Sequence, residues 1–560
     1  MAQKQKVALI SVYDKTGIID FAKDLISLDF KILASGGTAK HLKDAGVLVQ
    51  DVAELVGEGA ILGHRVVTLS REIHAGLLAR DNGEDRKELD DLKIPFIDLV
   101  CCDLYPLEEE IAKYTPSAQK VSLGTSPYIG GGREGVIEKT DIGGPTMIRS
   151  GAKGRRIVIC DPADQKKVLE WLKAGEPERE EFLNNLAAKA EAIVARYCSI
   201  SSEYHSGGAY KAIFGKKFLE CAYGENAYQK PASLYASGVG HPGFRCPTPD
   251  TLAIHNWKLV AGNPMSYNNF CDLDRMIQTM THIGAGLEKN LMKVPKIAIG
   301  VKHGNACGAG VDQDVSEAIS KMLLGDLRAI FGGSVMLNFP VDEKVAEELI
   351  HKYSGENRRL LDIVSAPSFS PEAIEILSRK KGKCRLLANP TILKAGLSSL
   401  DTAKRFRYVR GGFLEQPNYT FVPDLSKTVF DKSMSRTVLD SILKDVILAW
   451  AVGCTSNSNT ITLVKDGQLL GNGVGQQDRV GAATLAILRA GDKSLQDAVA
   501  YSDSFFPFPD AVEVLIDRGI KTIFSTSGSV NDEKIIELCK AKNVNLIMLP
   551  DSEARGFYQH

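Results

Sequence analysis

The sequence predicts an α/β protein whose first part is built on a parallel β-sheet. Short apolar runs typical of buried strands recur along the N-terminal part of the chain, and segments with helical periodicity separate the early ones. Strands that alternate with helices of about ten residues indicate a parallel sheet with helices on its faces. The strand-like runs are residues 7–11, 31–35, 47–49, 97–102 and 157–160.

The predicted helices follow from periodicity and from the residues that precede them. Asp14 is a good N-cap for the first helix. The two glycines of Ser35-Gly-Gly-Thr38 predict a turn that leads into the second. The predicted helices are residues 18–28, 39–44, 164–173 and 178–198.

Two segments are predicted to be irregular. Residues 115–140 are rich in Gly, Ser and Pro and too long for an ordinary connection, which indicates a loop inserted near a functional face. Residues 199–208 are predicted to end a helix and to form a domain boundary, which gives domains 1–210 and 211–560. The second domain again mixes helices and strands, so it is also predicted to be α/β.

Charge and cysteine content exclude several classes of protein. The 560 residues carry 68 Lys and Arg against 69 Asp and Glu, a formal net charge of -1, which argues against a protein that coats nucleic acid or an anionic membrane. No apolar run reaches the roughly 18 residues that a membrane span needs, and the start has no apolar signal-peptide core. The 11 cysteines are scattered without a CxxC pair, so we expect reduced thiols, a cytoplasmic location and no metal site.

A phosphate site is predicted where the first strands end. The glycines of Ser35-Gly-Gly-Thr38 allow close backbone approach, and the helix N-terminus offers N–H groups to an anion. Lys15, Thr16 and Arg65 could supply cationic and hydroxyl partners. An ordinary turn is the alternative interpretation of the glycines alone, but several such elements at the carboxyl ends of one parallel sheet favour a phosphate site.

Other candidates in this half are ambiguous from the residues alone. Asp141, in Thr140-Asp-Ile-Gly-Gly-Pro-Thr146, is either a helix N-cap or a site residue, and Lys153 follows it. Tyr105, which follows the strand ending at Cys102, is either structural or able to hold or protonate a base.

In the second half, Lys302 and His303 end a predicted strand and precede a turn of small residues. A lone histidine is usually structural, but a neighbouring ammonium favours the neutral imidazole, which can act as a base. Clusters of Asn, Gln and Gly beside aromatic residues suit recognition of a flat heterocycle by stacking and amide hydrogen bonds. These clusters are residues 266–270, 331–333, 458–459, 473–479 and 505–510.

These motifs, in this order, resemble the family of bifunctional purine-synthesis enzymes that join 5-aminoimidazole-4-carboxamide ribonucleotide (AICAR) transformylase to IMP cyclohydrolase. The resemblance runs from Ser11-Val-Tyr-Asp-Lys-Thr-Gly17 to Arg555-Gly-Phe557. It implies a methylglyoxal-synthase-like N-terminal domain that closes the ring, and a transformylase domain of two cytidine-deaminase-like α/β units without zinc. It also implies a homodimer.

The resemblance also assigns roles to individual residues. His303 is expected to be the base that activates the 5-amino group of AICAR, Lys302 to stabilise the oxyanion or protonate the departing tetrahydrofolate, and Asn459 to hold the geometry. The catalytic residues expected in the ring-closing domain are Tyr105, Asp141 and Lys153. The implied formyl donor is 10-formyltetrahydrofolate, and the implied nucleotides are AICAR, its formylated product (FAICAR) and IMP.

The binding residues that the resemblance implies fall into two groups. Those of the ring-closing domain are Lys15, Thr16, Ser35, Gly36, Gly37, Thr38, Arg65, Thr68, Gly143 and Gly144. Those of the transformylase domain are Tyr223, Asn269, Phe331, Gly332, Asp362, Gln476, Phe505, Asp510, Arg555 and Phe557.

The chain departs from the family pattern at several positions, and three of these departures bear on the chemistry. Val67 replaces the lysine that takes part in cyclisation, so we expect a weakened cyclohydrolase or a domain kept for binding. Asp103 replaces an asparagine and puts a carboxyl near the nucleotide. Ala222 replaces an arginine expected to grip the substrate phosphate, a loss of about 1.5–3 kcal/mol, or about ten- to hundred-fold in affinity.

The leading hypothesis is therefore an AICAR transformylase whose ring-closing activity is impaired. One alternative is a paralogue that binds a nucleotide or folate without turnover, and another is a formyltransferase for a different aminoimidazole or phosphorylated substrate. The retained Lys302, His303 and Asn459 favour an enzyme, whereas Val67 and Ala222 favour a changed substrate.

Overall fold

The computed structural model describes residues 5–57, 59–62, 66–114, 133–236, 250–427 and 436–558. These residues form two compact units. The first comprises the described residues up to Lys216 together with Ala236, and the second comprises Lys217–Tyr235 and the described residues from Asp250 onward. Each unit has its own sheet and its own apolar core.

The first unit is built on a five-stranded sheet. Its strands are β1 Lys6–Ser11, β2 Phe30–Ala34, β3 Val49–Asp51, β4 Leu99–Cys102 and β5 Ile157–Ile159. The spatial order is β3-β2-β1-β4-β5 and every neighbouring pair is parallel, which confirms the predicted α/β fold. The third strand begins two residues later than predicted.

Several helices of this unit were not predicted, and others differ from the predictions in their bounds. The second helix begins at Gly36, so the predicted turn is its first turn. The last helix continues to His205, through the predicted boundary, because Tyr197 and Tyr204 are buried and anchor its final turns. A short helix lies in the predicted insertion, of which residues 115–132 are outside the described residues. The helices are α1 Ile18–Ser27, α2 Gly36–Asp44, α3 Val52–Val56, α4 Arg71–Leu78, α5 Gly83–Asp91, α6 Leu107–Tyr114, α7 Arg133–Glu138, α8 Gly143–Lys153, α9 Ala163–Lys173 and α10 Arg179–His205.

The side chains of β1 point alternately to the two faces of the sheet and pack in two separate apolar clusters. Ala8 and Ile10 pack in one cluster with Phe21 of α1. Val7 and Leu9 pack in another, with apolar residues of α4 and α8. Because successive side chains of a strand point to opposite faces, a continuous apolar run such as β1 is buried on both sides.

The second unit contains a large mixed sheet and two small two-stranded ones. The strands are β6 Lys216–Glu220, β7 Ser233–Ala236, β8 Lys258–Ala261, β9 Lys296–Lys302, β10 Asn305–Asp312, β11 Gly333–Leu337, β12 Leu361–Ala366, β13 Arg385–Ala388, β14 Lys404–Val409, β15 Gly412–Pro417, β16 Ile461–Lys465, β17 Gln468–Gly473, β18 Val499–Ser502, β19 Thr522–Ser527 and β20 Asn545–Pro550. The large sheet has 11 strands in the order β20-β19-β18-β16-β17-β10-β9-β11-β12-β13-β8, and the small sheets pair β6 with β7 and β14 with β15.

The helices of this unit alternate with the strands of the large sheet. They are α11 Tyr267–Leu291, α12 Val315–Leu323, α13 Glu343–His351, α14 Pro371–Leu377, α15 Arg436–Cys454, α16 Arg479–Ala490, α17 Asp510–Ile516, α18 Asp532–Ala541 and α19 Asp551–Ala554. The long helices α11 and α15 pack against each other in the core, where a Cβ on Gly286 would lie 2.6 Å from Ile447.

The large sheet consists of two modules with the same succession of elements. In the first module α11 leads into the hairpin β9–β10, and β11, β12 and β13 follow with helices between them; α15, the hairpin β16–β17, β18, β19 and β20 repeat this succession. In both modules the first strand of the hairpin, β9 or β16, pairs antiparallel with the strand that follows the hairpin, β11 or β18. The last two strands of each module are then added in parallel. Antiparallel pairing of β10 with β17 joins the modules. The expectation of two α/β units is confirmed.

No helix in the part of the chain that the structure describes is long and apolar enough to cross a membrane.

Candidate active sites

The first candidate site is a cavity of about 730 Å³ at the carboxyl edge of the parallel sheet. The strand order reverses between β1 and β4, so the loops after these strands diverge and leave the crevice in which open α/β sheets bind ligands. The predicted site residues that line it are Lys15, Ser35, Gly36, Gly37, Thr38, Thr68, Tyr105, Asp141, Gly143 and Gly144.

The N-terminus of α2 borders this cavity. Ser35 is the N-cap residue, but its side chain makes no capping bond and its Oγ lies 2.7 Å from Oγ of Ser11. The buried hydroxyl of Thr38 donates to the carbonyl of Val12 and accepts from its N–H, both at 3.2 Å, which fixes α2 against the loop after β1. The helix therefore presents its first N–H groups, from Gly36 and Gly37, in the arrangement that binds phosphate.

The carboxylate of Asp103 fastens the loop after β1. The N–H of Tyr13 donates to its Oδ1, and the N–H of Asp14 donates to its Oδ2 at 3.0 Å. Burial raises the pKa of Asp103, and these two N–H groups oppose the rise. Lys15, in the same loop, donates from Nζ to the carbonyl of Val12, and burial lowers its pKa. Asp103, one of the residues that depart from the family pattern, thus ties the end of β4 to the loop after β1.

The N-terminus of α8 brings Asp141 to the cavity. Its Oδ1 accepts from the N–H of Gly144 at 2.8 Å, and its own N–H donates to the hydroxyl of Tyr197 at 2.7 Å. A Cβ on Gly144 would lie 2.5 Å from Asp141 Oδ2, so this close approach requires glycine. Burial raises the pKa of Asp141, and burial together with the Asp141 charge raises that of Tyr105. Both groups hold their protons more tightly than usual, as groups that transfer protons often do.

Other predicted residues of this unit lie elsewhere. Thr16 is not among the described residues that line the cavity, and its N–H donates to Asp14 Oδ1 at 2.9 Å. Lys153, about 15 Å along α8 from its start, lines a neighbouring cavity of about 870 Å³, which shares Asp141 with the first. Arg65 lies outside the described residues. Val67 lines the first cavity and packs against the apolar cluster on one face of the sheet.

The second candidate site is the hairpin turn between β9 and β10. Lys302 pairs with Asn305, so His303 and Gly304 form a two-residue turn with φ angles of 52° and 71°. Two positive φ values are typical of the turns whose twist matches that of a hairpin. Glycine accepts this conformation without cost, whereas a histidine stores strain, which is common at functional sites. Lys302 ends its strand as predicted, and His303 lies in the turn itself.

Asp272 on α11 fastens this turn. Its Oδ1 accepts from the N–H of Gly304 at 2.8 Å, and its Oδ2 accepts from the hydroxyl of Ser334 on β11 at 3.2 Å. Burial raises the pKa of Asp272. Lys302 Nζ donates to the carbonyl of Phe331 at 2.8 Å, so the turn and the segment before β11 are held together. The sequence interpretation missed Asp272, although it lies only two residues after the cluster 266–270 that was singled out.

Asn305 joins the turn to the segment before β16. Its Oδ1 accepts from the N–H of Asn457 at 3.2 Å, and its Nδ2 donates to the carbonyl of His303 at 3.2 Å. Two residues further on, Asn459 and Gln476 exchange backbone hydrogen bonds of 3.2 Å, and Asn459 Nδ2 donates to the Gln476 carbonyl at 3.0 Å. The predicted Lys302, His303, Asn459 and Gln476 are therefore brought to one connected region.

The C-terminal segment reaches the same region. Arg555 forms an ion pair of 2.8 Å with Asp551, and its guanidinium lies 5.7 Å from the ring centroid of Phe505. The N–H of Gly556 donates to the carbonyl of Asp503, whose carboxylate accepts from the hydroxyl of Ser458 at 2.6 Å. Ser458 precedes Asn459, so the predicted Arg555, Phe505 and Phe557 lie near the residues around Asn459.

Tyr558 anchors this segment and was not predicted. Its ring lies between the guanidinium groups of Arg275 and Arg405, 4.0 and 3.7 Å from the ring centroid, and its hydroxyl donates to Asp274 on α11. Its N–H donates to the carbonyl of Ser456 at 3.0 Å. A single tyrosine near the end of a chain carries no sequence signal for such a role.

The start of α11 carries more of the predicted residues. Asn269 forms a capping box with Ser266, and its Oδ1 accepts from the Ser266 N–H and hydroxyl at 3.0 Å each. The carbonyl of Tyr223 accepts from the N–H of Tyr267 at 3.0 Å, and the N–H of Ala222 donates to the carbonyl of Met265 at 3.0 Å. Position 222, where the arginine is missing, thus lies beside the helix that carries Asp272.

The remaining predicted residues surround the region less closely. Phe331 is half exposed, and the N–H of Gly332, with φ 72°, donates to the carbonyl of Leu360 at 2.6 Å. Asp362 accepts from Arg379 at 3.1 Å. Asp510 begins α17, where its Oδ1 accepts from the N–H of Ala511 at 2.8 Å.

Within the described ranges no group of three or more His, Cys, Asp or Glu is placed to hold a metal ion.

The chain is similar to known proteins along nearly its whole length. A family model described as "AICARFT/IMPCHase bienzyme" matches residues 153–489, and one described as "MGS-like domain" matches residues 17–122. The "Bifunctional purine biosynthesis protein PurH" of Bacillus mycoides (strain KBAB4) and that of Bacillus cereus (strain 03BB102) are each 35% identical over 553 residues, which cover 97% of this chain and 98% of theirs. The crystal structure of ForH is 33% identical and covers 36% of this chain and 100% of that chain, with a TM-score of 0.30.

Proposed function

Since the chain belongs to the AICARFT/IMPCHase bienzyme family, we propose that it carries out two consecutive steps of purine biosynthesis. The second unit transfers a formyl group from 10-formyltetrahydrofolate to the 5-amino group of AICAR, and the first unit closes the ring of the product, FAICAR, to give IMP. The observation that carries the proposal is the Lys302–His303 turn, which Asp272 fastens from α11 and Asn305 joins to the segment of Asn459. The chain is thus an AICAR formyltransferase with a folate co-substrate.

The arrangement supports separate roles for His303, Lys302 and Asn459 in the transfer step. The amino nitrogen bonds to the formyl carbon, the bond from that carbon to the folate nitrogen breaks, and tetrahydrofolate leaves with a proton. The His303 imidazole, on a turn fixed at both sides, takes the proton from the attacking amine. The Lys302 ammonium stabilises the negative charge that develops on the formyl oxygen. Asn459 keeps the facing segment in register through its bonds to Gln476.

The residues around the turn support binding of flat, anionic molecules. Phe331 is half exposed and Phe505 is partly exposed, so their ring faces are available for stacking on a heterocycle. Arg555, beside Phe505, supplies a cation for a phosphate or a carboxylate.

We propose that ring closure in the first unit is slower than it would be with a lysine at position 67. The N-terminus of α2 supports binding of the substrate phosphate, and the raised pKa values of Asp141 and Tyr105 support proton transfer. Val67, however, lines the cavity with an apolar side chain that offers neither a charge nor a proton.

An assay of the purified full chain with AICAR and 10-formyltetrahydrofolate tests both steps, provided that tetrahydrofolate and IMP are followed separately. We expect tetrahydrofolate to form and FAICAR to accumulate ahead of IMP. Absence of tetrahydrofolate at millimolar AICAR would contradict the transferase. Val67→Lys should raise IMP formation whereas Val67→Met, a matched control without charge, should not; equal rates in the two variants would show that the missing lysine is not the cause.

The resemblance to the family further supports a homodimer, and the scattered cysteines support a cytoplasmic location. Light scattering on the purified protein should give twice the chain mass of 60.8 kDa. A mass of one chain would contradict the dimer.

A formyltransferase for a different aminoimidazole is the second candidate function, and Ala222 favours it. Without an arginine at this position, the site lacks one ionic contact to a substrate phosphate, so its preference for a phosphorylated substrate is weaker. Comparison of kcat/KM for AICAR and for its unphosphorylated nucleoside distinguishes the two functions, because a true AICAR site prefers the nucleotide.

A further inference from the structure

The described residues that line the ring-closing cavity carry little positive charge for its proposed substrate. Among the described residues that line it, carboxyl groups belong to Asp103, Glu138 and Asp141, whereas Lys15 is the single lysine or arginine. The Lys15 ammonium is already engaged by a backbone carbonyl of its own loop, and burial lowers its pKa. A phosphorylated substrate that develops negative charge on an oxygen during reaction needs a further cation nearby.

Lys139 lies at the rim of this cavity. Both of its chain neighbours, Glu138 and Thr140, line the cavity. Its Nζ stands 5.7 Å from the ring centroid of Tyr105, which lines the cavity as well. The backbone of Lys139 is held in place, because its N–H donates to the carbonyl of Gly135 at 3.2 Å and its carbonyl accepts from the Tyr197 hydroxyl at 3.3 Å.

The Tyr105 ring attracts the Lys139 ammonium and keeps it at the rim of the cavity. Burial raises the pKa of Tyr105, so the phenol is neutral and the face of its ring attracts a cation. The side chain of Lys139 is exposed and has a flexible stem, so the ammonium can leave the ring for a stronger partner such as a substrate oxygen. Because its backbone is fixed and its side chain can move, the Lys139 ammonium can approach a substrate oxygen as negative charge develops there.

We infer that Lys139 serves ring closure as the cation that position 67 does not provide; this rests on the proposed function of the first unit. In that step the carboxamide nitrogen of FAICAR bonds to the formyl carbon, and the bond between that carbon and its oxygen breaks. The oxygen leaves as water with one proton from the carboxamide nitrogen and one from the formamido nitrogen. The Lys139 ammonium pairs with the oxygen while it is negatively charged and is unchanged at the end.

Conversion of FAICAR to IMP by the full chain tests the role of Lys139. Lys139→Gln should lower kcat for ring closure by about tenfold or more, and Lys139→Arg should retain most of it. Formyl transfer to AICAR, measured on the same preparations, should stay unchanged. Lys87→Gln, which removes an exposed lysine of α5 in the same unit, is the matched control and should leave both activities as they are.

A rescue variant separates a catalytic role from a structural one. Val67→Lys should restore ring closure in Lys139→Gln and should have a smaller effect in the wild-type chain, because the two lysines would do the same work. Wild-type ring closure in Lys139→Gln, or an equal fall of ring closure and formyl transfer, would overturn the inference alone. A wild-type chain that makes no IMP from FAICAR would overturn the proposed function of the unit and the inference with it.

Discussion

The N–H of Gly304 donates a hydrogen bond of 2.8 Å to the carboxylate of Asp272, so a residue of α11 holds the turn that presents His303. The second module contains the same arrangement. Its hairpin turn, Asp466 and Gly467, also has two positive φ angles, and the N–H groups of both residues donate to the carboxylate of Asp445 on α15 at 2.8 and 2.6 Å. A helix carboxylate thus fastens a hairpin turn twice, and a lysine precedes each turn, but only the first of these two turns contains a histidine.

Asp272→Asn should lower kcat for formyl transfer by about tenfold or more, because small displacements of a catalytic group cost large factors in rate. The amide keeps the volume of the carboxyl but offers one acceptor where Gly304 and Ser334 need two. KM for AICAR and ring closure of FAICAR should change little, since the substitution displaces the turn and not the first unit.

Asp445→Asn is the matched control for that experiment. It disturbs the equivalent carboxylate in a module whose turn carries no histidine. Both variants are compared with the wild type by steady-state kinetics and by thermal unfolding. If Asp445→Asn slows formyl transfer as much as Asp272→Asn does, the effect of Asp272 is a general loss of rigidity.

His303→Asn should abolish formyl transfer with little loss of stability. Asparagine tolerates a positive φ angle better than most residues, so the turn should keep its shape while the base is lost. Removal of a general base lowers kcat by about a hundred- to ten-thousand-fold. AICAR binding, measured by calorimetry, should be retained. His351→Asn, at an exposed position of α13, is the control, and full activity in His303→Asn would remove His303 from the mechanism.

Ala222→Arg should strengthen AICAR binding by about ten- to hundred-fold if the substrate phosphate lies near this position, because a charge-assisted hydrogen bond is worth about 1.5–3 kcal/mol. The change should appear in KM for AICAR and not in kcat. The neutral Ala222→Gln provides the comparison in which chain length is added without charge. An unchanged KM in Ala222→Arg would place the phosphate elsewhere.

Asp445 should make the stability of the second unit depend on pH. Burial raises its pKa to about 6, above the ordinary value of 3.8. A carboxyl whose pKa is higher in the folded state stabilises the fold at low pH, and this contribution is lost as pH rises from about 4 through 6, by up to about 3 kcal/mol. The difference in unfolding free energy between wild type and Asp445→Asn, measured by urea denaturation, should therefore fall over this range. A constant difference would contradict the raised pKa.

Local signals in the chain were sufficient to predict the sheet of the first unit and to single out the candidate site residues. The apolar runs predicted the strands of the first unit because a buried parallel strand needs little more than continuous apolar character. Lys302 and His303 were chosen as candidates because their position at the end of such an apolar run is itself a local feature. The helix boundaries at Gly36 and His205 were missed, since glycine at a helix start and serine in a helix are decided by what the rest of the helix packs against.

The sequence by itself determined the fold class and the family and indicated the candidate site residues, because strand and helix periods, turn residues and motifs are local features of short stretches of chain. The tertiary structure alone decided which of these residues lie together. Asp272 and Gly304 are 32 positions apart, and Tyr558 and Asp274 are 284 positions apart. Lys139 lies beside Tyr105 because α7 returns the chain to the edge of the sheet. Contacts of this kind depend on how helices pack on strands, and no local pattern encodes that packing.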